Sequence, residues 1–301
     1  MIEAIRDPQS FLTLTLSLRR LDPIGSSQIA AIASDIAYGV RSPDGVRFFV
    51  ASATSLERGV VVTSFAMHSS GRGLLLSPTV SMEEATVLGE IFANTVELLL
   101  VQVMGNDSAT AAFNASYCRH RSSPTTAAWK EDLIMYVLGN LQPPSPSKVA
   151  GAMRSASIGR DADLLTAWSM QFLEYIQAPT DDAAPFVARG FKRHALFVWE
   201  VDGNPVGFAG YASPVTVEGE TVFKIGPVFV APSERRQGYA SALTAALCRH
   251  LLESNTLPTA ARICLFANAA NPASNKAYQN VGFELHSRRV AYSFESATSS
   301  I

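Results

Sequence analysis

Val228-Phe-Val-Ala-Pro-Ser-Glu-Arg-Arg-Gln-Gly-Tyr-Ala-Ser241 joins an apolar, β-prone run to a helix. The run ends at Val230, and Ala231-Pro-Ser-Glu234 reads as a turn. Arg235, Arg236 and Gln237 follow, and Gly238 opens a helix over 239–253, with Leu243, Leu247 and Leu251 on one stripe beside Ala240. A helix N-terminus carries four unpaired N–H groups and about half a positive charge. Gly238 has no Cβ, so an anion can approach the backbone, and Ala240 keeps the next position small. Residues Arg235, Arg236, Gln237, Gly238, Tyr239, Ala240 and Ser241 therefore read as a diphosphate cradle that works mostly through backbone N–H groups. The plainer alternative is a solvated basic turn before a surface helix. Neither GxxxxGK(S/T) nor GxGxxG occurs, which excludes the usual nucleoside-triphosphate loop and the dinucleotide fingerprint.

Outward from this stretch, the second half alternates helices and strands. Leu164, Leu165, Trp168, Phe172 and Ile176 recur at helical spacing and predict a helix over 161–177, with Trp168 and Phe172 as core. A shorter helix is expected over 181–189. Strands are expected over 195–201, 206–217, 221–230, 262–266 and 283–294, with Asp202-Gly-Asn-Pro205 and Glu218-Gly-Glu220 as turns and a helix over 274–281. Gly226-Pro227 interrupts the 221–230 run, and proline inside a strand requires an edge or a bulge. The first half is less legible. Helices are expected over 27–38, 81–100 and 108–118, and strands over 46–53, 59–67 and 132–138. Its order loosely parallels the second half with no residue-level repeat. Between the halves, Gln142-Pro-Pro-Ser-Pro-Ser-Lys148 reads as an extended linker. The expected domains are 1–141, an α/β domain without the cradle, and 149–301, which carries it. The fold class expected is α/β (α+β).

Arg235-x-x-Gly238-x-Ala240 resembles the Arg/Gln-x-x-Gly-x-Gly/Ala signature of the GNAT superfamily of N-acetyltransferases. A second block, Ala267-Asn-Ala-Ala-Asn-Pro-Ala-Ser-Asn-Lys-Ala-Tyr-Gln-Asn-Val-Gly-Phe283, is similar to the later motif of that family, where Asn, Ser and Tyr precede a closing Gly-Phe. A helix and a strand separate the two blocks, as in the family. Gly151-Ala-Met-Arg-Ser-Ala156, with Asp161 and Asp163 ahead of the first helix, is similar to a family start. The resemblance covers roughly 150–295. It implies a mixed, mostly antiparallel sheet flanked by helices, with two such domains in tandem if the first half is a degenerate copy.

What the resemblance implies is an acetyl-CoA-dependent N-acetyltransferase acting on a primary amine by direct attack in a ternary complex. Val228, Phe229 and Val230 are the implied docking edge for the two amides of pantetheine. A backbone N–H near Val228 faces the thioester oxygen, and Tyr278 donates a proton to the departing thiolate. Asn271 is expected to bond the cofactor, with Ser274 in the same set, and Ser274 or Asn275 to cap the helix. No general base stands out. His194, Glu200, Glu220 and Glu284 lie near strand ends, with Glu220 placed to reach the acceptor cleft, and a water relay is the alternative. Trp129 and Tyr136 are cleft-wall candidates for which core packing is the plainer role. A non-catalytic coenzyme A-binding sensor or scaffold, or a protein N-acetyltransferase, remains the alternative function.

Composition narrows the partners. The chain has 301 residues, 48% apolar and 17% charged, with net charge −2. This excludes a chain of the disordered, highly charged kind and any global field for nucleic acid. Cys118, Cys248 and Cys264 lie far apart with no CxxC, so free thiols are expected, with no disulfide framework and no metal. The N-terminus lacks the pattern of a signal peptide, and no apolar run approaches about 20 residues. The expected setting is cytoplasmic, with a small-molecule amine as acceptor, no membrane or nucleic-acid partner, and a monomer or homodimer.

Overall fold

The computed structural model describes residues 1–296 except Leu56, Arg58, Val96, Leu99, 143–148 and 256–257. Two compact units emerge. One comprises Met1–Leu133 and the segment from Ser287 onward, the other Ile134–His286. Both boundaries fall inside strands. Of the proline-rich segment expected to divide the chain, Gln142 donates its N–H to the Val281 carbonyl at 2.8 Å, and 143–148 lie outside the described residues.

The first unit runs β1 (Ile2–Ile5), α1 (Pro8–Leu14), α2 (Leu16–Leu21), α3 (Pro23–Ala37), β2 (Val46–Ser55), β3 (Gly59–Ser69), β4 (Gly73–Leu76), α4 (Met82–Asn94), β5 (Gln102–Gly105), α5 (Asp107–His120) and the start of β6 (Thr125–Leu138). β1 to β4 pair antiparallel in order, and β4 pairs parallel with β5 through Leu74 and Val103. Local chemistry sets the helix starts. Asp22 caps α3 by accepting from Gly25 N–H, with Pro23 at the first position, so α3 begins four residues before the expected Ser27. α4 ends at Asn94, short of the expected Leu100.

The second unit runs β7 (Ala152–Ser155), α6 (Ile158–Tyr175), α7 (Ala183–Lys192), β8 (Leu196–Val201), β9 (Asn204–Tyr211), β10 (Val215–Val217), β11 (Glu220–Val230), α8 (Tyr239–Ser254), β12 (Ala260–Asn268), α9 (Pro272–Val281) and the start of β13 (Phe283–Ser296). Its strands lie in the order β7, β8, β9, β11, β12, β6, and β10 pairs with β11 alone. The single strand expected over 206–217 is two, β9 and β10. Asp161 lies inside α6 rather than ahead of it, because the helix starts at Ile158 and the Asp161 carboxylate accepts the Ser157 N–H at 2.7 Å.

Strand alternation divides the side chains between two faces. Phe197, Trp199, Val206 and Ala209 join α8 and α9, while Leu196, Val198, Phe208 and Phe229 join α6 and α7. Trp168 of α6 stacks 6.1 Å from Phe208 and lies 5.8 Å from Phe229. On the other face Leu243, Leu247 and Leu251 are fully buried, each contributing roughly 1.5–3 kcal/mol. With β10 set aside, both units show one order: a strand, helices, three antiparallel strands, a helix, a strand parallel to the third, and a helix.

Gly282 ends α9 in the left-handed region at φ +104°, and a Cβ there would collide with the Asn140 carbonyl oxygen. Gly282→Ala is expected to cost roughly 2 kcal/mol or more in urea unfolding. A loss too small to measure would remove this clash as a constraint.

Candidate active site

The site is built around a fork between β11 and β12. Their parallel pairing runs from Glu220 opposite Ala260 to Ile225 opposite Leu265. Toward β9, the register shifts between Ile225 and Val228, so β11 carries one extra residue at Gly226-Pro227. A bulge of this kind reverses which face each later residue meets. Phe223 and Ile225 pack with α8 before it, and Val228 and Val230 do so after it. Over residues 228–230 β11 keeps β9 as its partner, and its other edge is open toward the diverging end of β12.

Nine residues past the end of β11 at Val230, α8 begins. Gly238 is its N-cap in the left-handed region, φ +85° and ψ −1°, with no side-chain cap. The first turn is closed by Ala242 N–H to the Gly238 carbonyl at 3.0 Å. The amides of Tyr239, Ala240 and Ser241 therefore precede the helical ladder and carry its positive end. Arg236 is also left-handed, at φ +69°, a conformation that costs a non-glycine residue about 1 kcal/mol or more. Arg235 is tied back to the strand: its Nε donates to the Val230 carbonyl at 3.2 Å, and its guanidinium lies 5.9 Å over the Phe229 ring. Arg236, Gln237 and Gly238 are exposed, while the Tyr239 ring is buried. The Ser241 hydroxyl donates to the Ala277 carbonyl of α9 at 3.3 Å, joining the two helices. These residues follow the open edge of β11 along the chain, and a helix N-terminus without a side-chain cap after an unpaired strand edge is chemistry suited to a diphosphate with an amide-bearing arm.

Tyr278 lies in α9, 8% exposed, with its ring 6.2 Å from Phe283 and 6.4 Å from Tyr136. Burial pushes its phenol up to about 12. Tyr136 is buried and donates its hydroxyl to Asn275 Oδ1 at 3.1 Å. The Asn275 amide in turn donates to the carbonyls of Asn268 at 3.0 Å and Asn271 at 2.7 Å. The expected helix cap is corrected: Asn271 caps α9, accepting the Ser274 N–H at 3.0 Å, because Pro272 occupies the first helical position. Asn271 Nδ2 donates to the Tyr175 hydroxyl at 3.0 Å. These long-range links carry no sequence signal beyond the amide-rich character of the block.

The expected base candidates divide by geometry. Glu220 opens β11, so it stands eight residues, about 26 Å of strand, from Val228 and does not reach the fork; it pairs with Arg262 at 2.9 Å. Glu200 is held by Arg154 at 2.6 Å and Arg160 at 2.7 Å, which lowers its pKa and makes it a poor proton acceptor near neutrality. His194 is an exposed turn residue at φ +53°. Trp129 is 59% exposed, so it is no core residue. Cys248 and Cys264 are buried free thiols and Cys118 is half-buried. Among the described residues no group of three His, Cys, Asp or Glu side chains is arranged to hold a metal, and no helix is long and apolar enough to cross a membrane.

Residues 162–283 match the family model described as the acetyltransferase (GNAT) family. Those residues are a GNAT acetyltransferase domain. Solved structures agree in fold. A GNAT-family acetyltransferase from Colwellia psychrerythraea is 16% identical, with a TM-score of 0.55 over 98% of this chain and 99% of that one. A tandem GNAT protein from the clavulanic acid biosynthesis pathway is 11% identical, with a TM-score of 0.58 over 100% of both. A GCN5-related N-acetyltransferase from Sphaerobacter thermophilus is 14% identical, with a TM-score of 0.57 over 98% of this chain and 95% of that one. No curated protein matches the chain.

Among the described residues of the first unit, the helix start that corresponds to α8 in the element order has different chemistry. There the helix after the third antiparallel strand is α4, and its N-terminus carries a capping box. Ser81 accepts from Glu84 N–H at 3.2 Å, and Glu84 accepts from Ser81 N–H at 2.9 Å. Glu83 and Glu84 put two negative charges in the first turn, which repel an anion. At the end of its β4–β5 pairing, the fully buried Leu76 side chain lies 3.0 Å from where a Gly105 Cβ would stand.

In the second unit, Arg154 fastens β7 to α6 by gripping Asp161 with two bonds, at 2.7 and 2.9 Å. That pairing, together with the Ser157 N–H, holds the buried Asp161 carboxyl below the usual range. A depressed carboxyl stabilises the fold above its unfolded pKa, about 3.9, and the gain is lost as pH falls through the lower folded value. Asp161→Asn is expected to cost on the order of 3 kcal/mol at pH 7, and the gap to the native chain should close below about pH 4. Urea midpoints across pH 2–8 check this, and a gap independent of pH would refute the ionic origin.

Proposed function

We propose that this protein transfers the acetyl group of acetyl-CoA to the primary amine of a small molecule, by direct attack while both substrates are bound. The observation that carries the reading is the pairing of two features on one path: the open β11 edge at residues 228–230 and the uncapped, glycine-led N-terminus of α8. A diphosphate fits the second, and the two amides of pantetheine fit the first as an added strand.

Acetyl-CoA supplies an acyl group already activated as a thioester. The chain supplies position and charge. The amides of Tyr239, Ala240 and Ser241 hold the diphosphate, with Arg236 and Gln237 beside it and Arg235 bracing the turn against β11. Val228, Phe229 and Val230 align the arm, and the Val228 N–H polarises the thioester oxygen. Asn271 and Ser274 flank the arm from the head of α9. As the amine nitrogen bonds to the carbonyl carbon and the C–S bond breaks, Tyr278 meets the departing sulfur. A phenol at about 12 does not yield its proton fully to a thiolate whose acid has a pKa near 8.5. Tyr278 therefore stabilises the thiolate by donating a hydrogen bond, and solvent delivers the proton that completes the thiol. With Glu200 and Glu220 committed to arginines, water carries away the proton lost by the attacking amine.

Titration calorimetry with acetyl-CoA tests the grip. Gly238→Val, which strains the left-handed cap and crowds Val149, is expected to weaken binding at least thirtyfold, and Arg236→Ala only three- to tenfold. Absence of binding by the native chain would end the reading. Tyr278→Phe is expected to slow turnover ten- to a hundredfold, followed as thiol release, with acetyl-CoA affinity within about threefold. Unchanged turnover would remove Tyr278 from the reaction. Tight binding with no turnover on any amine would mean a coenzyme A sensor instead.

A further inference from the structure

We infer that Tyr175 is a specificity-determining residue, forming a pinned aromatic wall that selects acceptor amines with a flat ring; the inference rests on the acetyl-transfer reading above. α6 presents Leu165, Trp168 and Phe172 toward the sheet, and Tyr175 continues that stripe two turns past Trp168, about 10 Å along the axis. Leu165 is fully buried and Trp168 is 7% exposed, yet Tyr175 is 65% exposed. The sheet-facing stripe thus runs out from under cover while still carrying a large ring.

That ring is held in place. Asn271 Nδ2 donates to the Tyr175 hydroxyl at 3.0 Å, and the Asn271 side chain is itself fixed by accepting the Ser274 N–H at 3.0 Å. Two hydrogen bonds in series, from the Ser274 N–H through the Asn271 amide to the Tyr175 hydroxyl, favour one orientation of this exposed ring. The bond joins helices on opposite faces of the sheet, since α6 packs with Phe208 and Phe229 and α9 packs with Phe283 and Leu243.

Its location follows from the strand register. Ile225 pairs with Leu265, so Asn268, three residues on, is about level with Val228 across the fork. Asn271 N–H donates to the Asn268 carbonyl at 3.0 Å, which sets Asn271, and through it Tyr175, at the mouth of the fork. A donor held at the N-terminus of α8 occupies the α8 face. An amine then approaches the thioester from the α6 face, where the Tyr175 ring stands. The carbonyl end of α6 places partial negative charge near that ring, suited to an ammonium group. The flat ring adds stacking to an aromatic substituent and cation–π attraction to its amine.

The test compares benzylamine with n-butylamine, a primary amine on a ring or on a chain, by thiol release from acetyl-CoA, with kcat/KM referred to the unprotonated amine because benzylamine is the weaker base. The native protein is expected to show kcat/KM about tenfold higher for benzylamine. Tyr175→Ala should abolish that preference by raising the benzylamine KM, with butylamine kcat/KM and the acetyl-CoA dissociation constant within about twofold. Tyr175→Phe keeps the ring without its pin and should retain part of the preference. Bound acetyl-CoA with no ring preference, or no amine turnover, would overturn the inference. So would an equal loss on both amines in Tyr175→Ala, which marks a merely structural role. Failure of the native chain to bind acetyl-CoA would instead overturn the proposed function and this inference together.

Discussion

Backbone pairing between β11 and β12 stops at Ile225 and Leu265, and the site depends on that interruption. Two parallel strands ordinarily satisfy each other along their shared length. Here one extra residue at Gly226-Pro227 shifts the register against β9, and proline removes a donor from the ladder. Val228 and Val230 then face α8, Phe229 faces α6, and one edge is left with polar groups to offer. Everything placed around the fork uses this opening: the α8 N-terminus beyond one prong, and the β12–α9 turn beyond the other.

Asparagine, not charge, organises the second prong. Asn275 ties the Asn268 and Asn271 carbonyls to the Tyr136 hydroxyl, and Asn271 spends one end of its amide on the helix cap and the other on Tyr175. Neutral amides suit this position because each both donates and accepts, so turns that would otherwise leave carbonyls unpaired are satisfied without a buried charge. The charged groups sit elsewhere, in the Arg154, Asp161, Glu200 and Arg160 cluster that fastens β7, α6 and β8. The first unit shows the same element order with the opposite chemistry at the matching helix, where a capping box and two glutamates close what α8 leaves open.

Much of the second unit was legible because its signals are local. The 239–253 helix is one residue short of α8, and the glycine-led cradle lies at a real helix start. The α9 cap falls on Asn271 and not on Ser274 or Asn275, because capping depends on where Pro272 falls in the helix, a one-residue matter that spacing does not resolve. Glu220 was placed near the cleft because sequence proximity to a turn says nothing of which end of a long strand that turn occupies. In the first unit, β1, β4 and β5 are four residues each, too short for a periodic pattern, and they went unseen.

By itself the amino-acid sequence determined the glycine at the head of α8, the proline that interrupts β11, and the motif spacing that marks the family. These are properties of neighbours along the chain, set by φ preferences, missing donors and helical repeat. Only the tertiary structure decided that β12 leaves β11 beyond Ile225, that both unit boundaries lie within strands, and that Tyr175 meets Asn271. Those contacts join residues tens to a hundred positions apart, and no local preference encodes which distant partner will be there when the sheet closes.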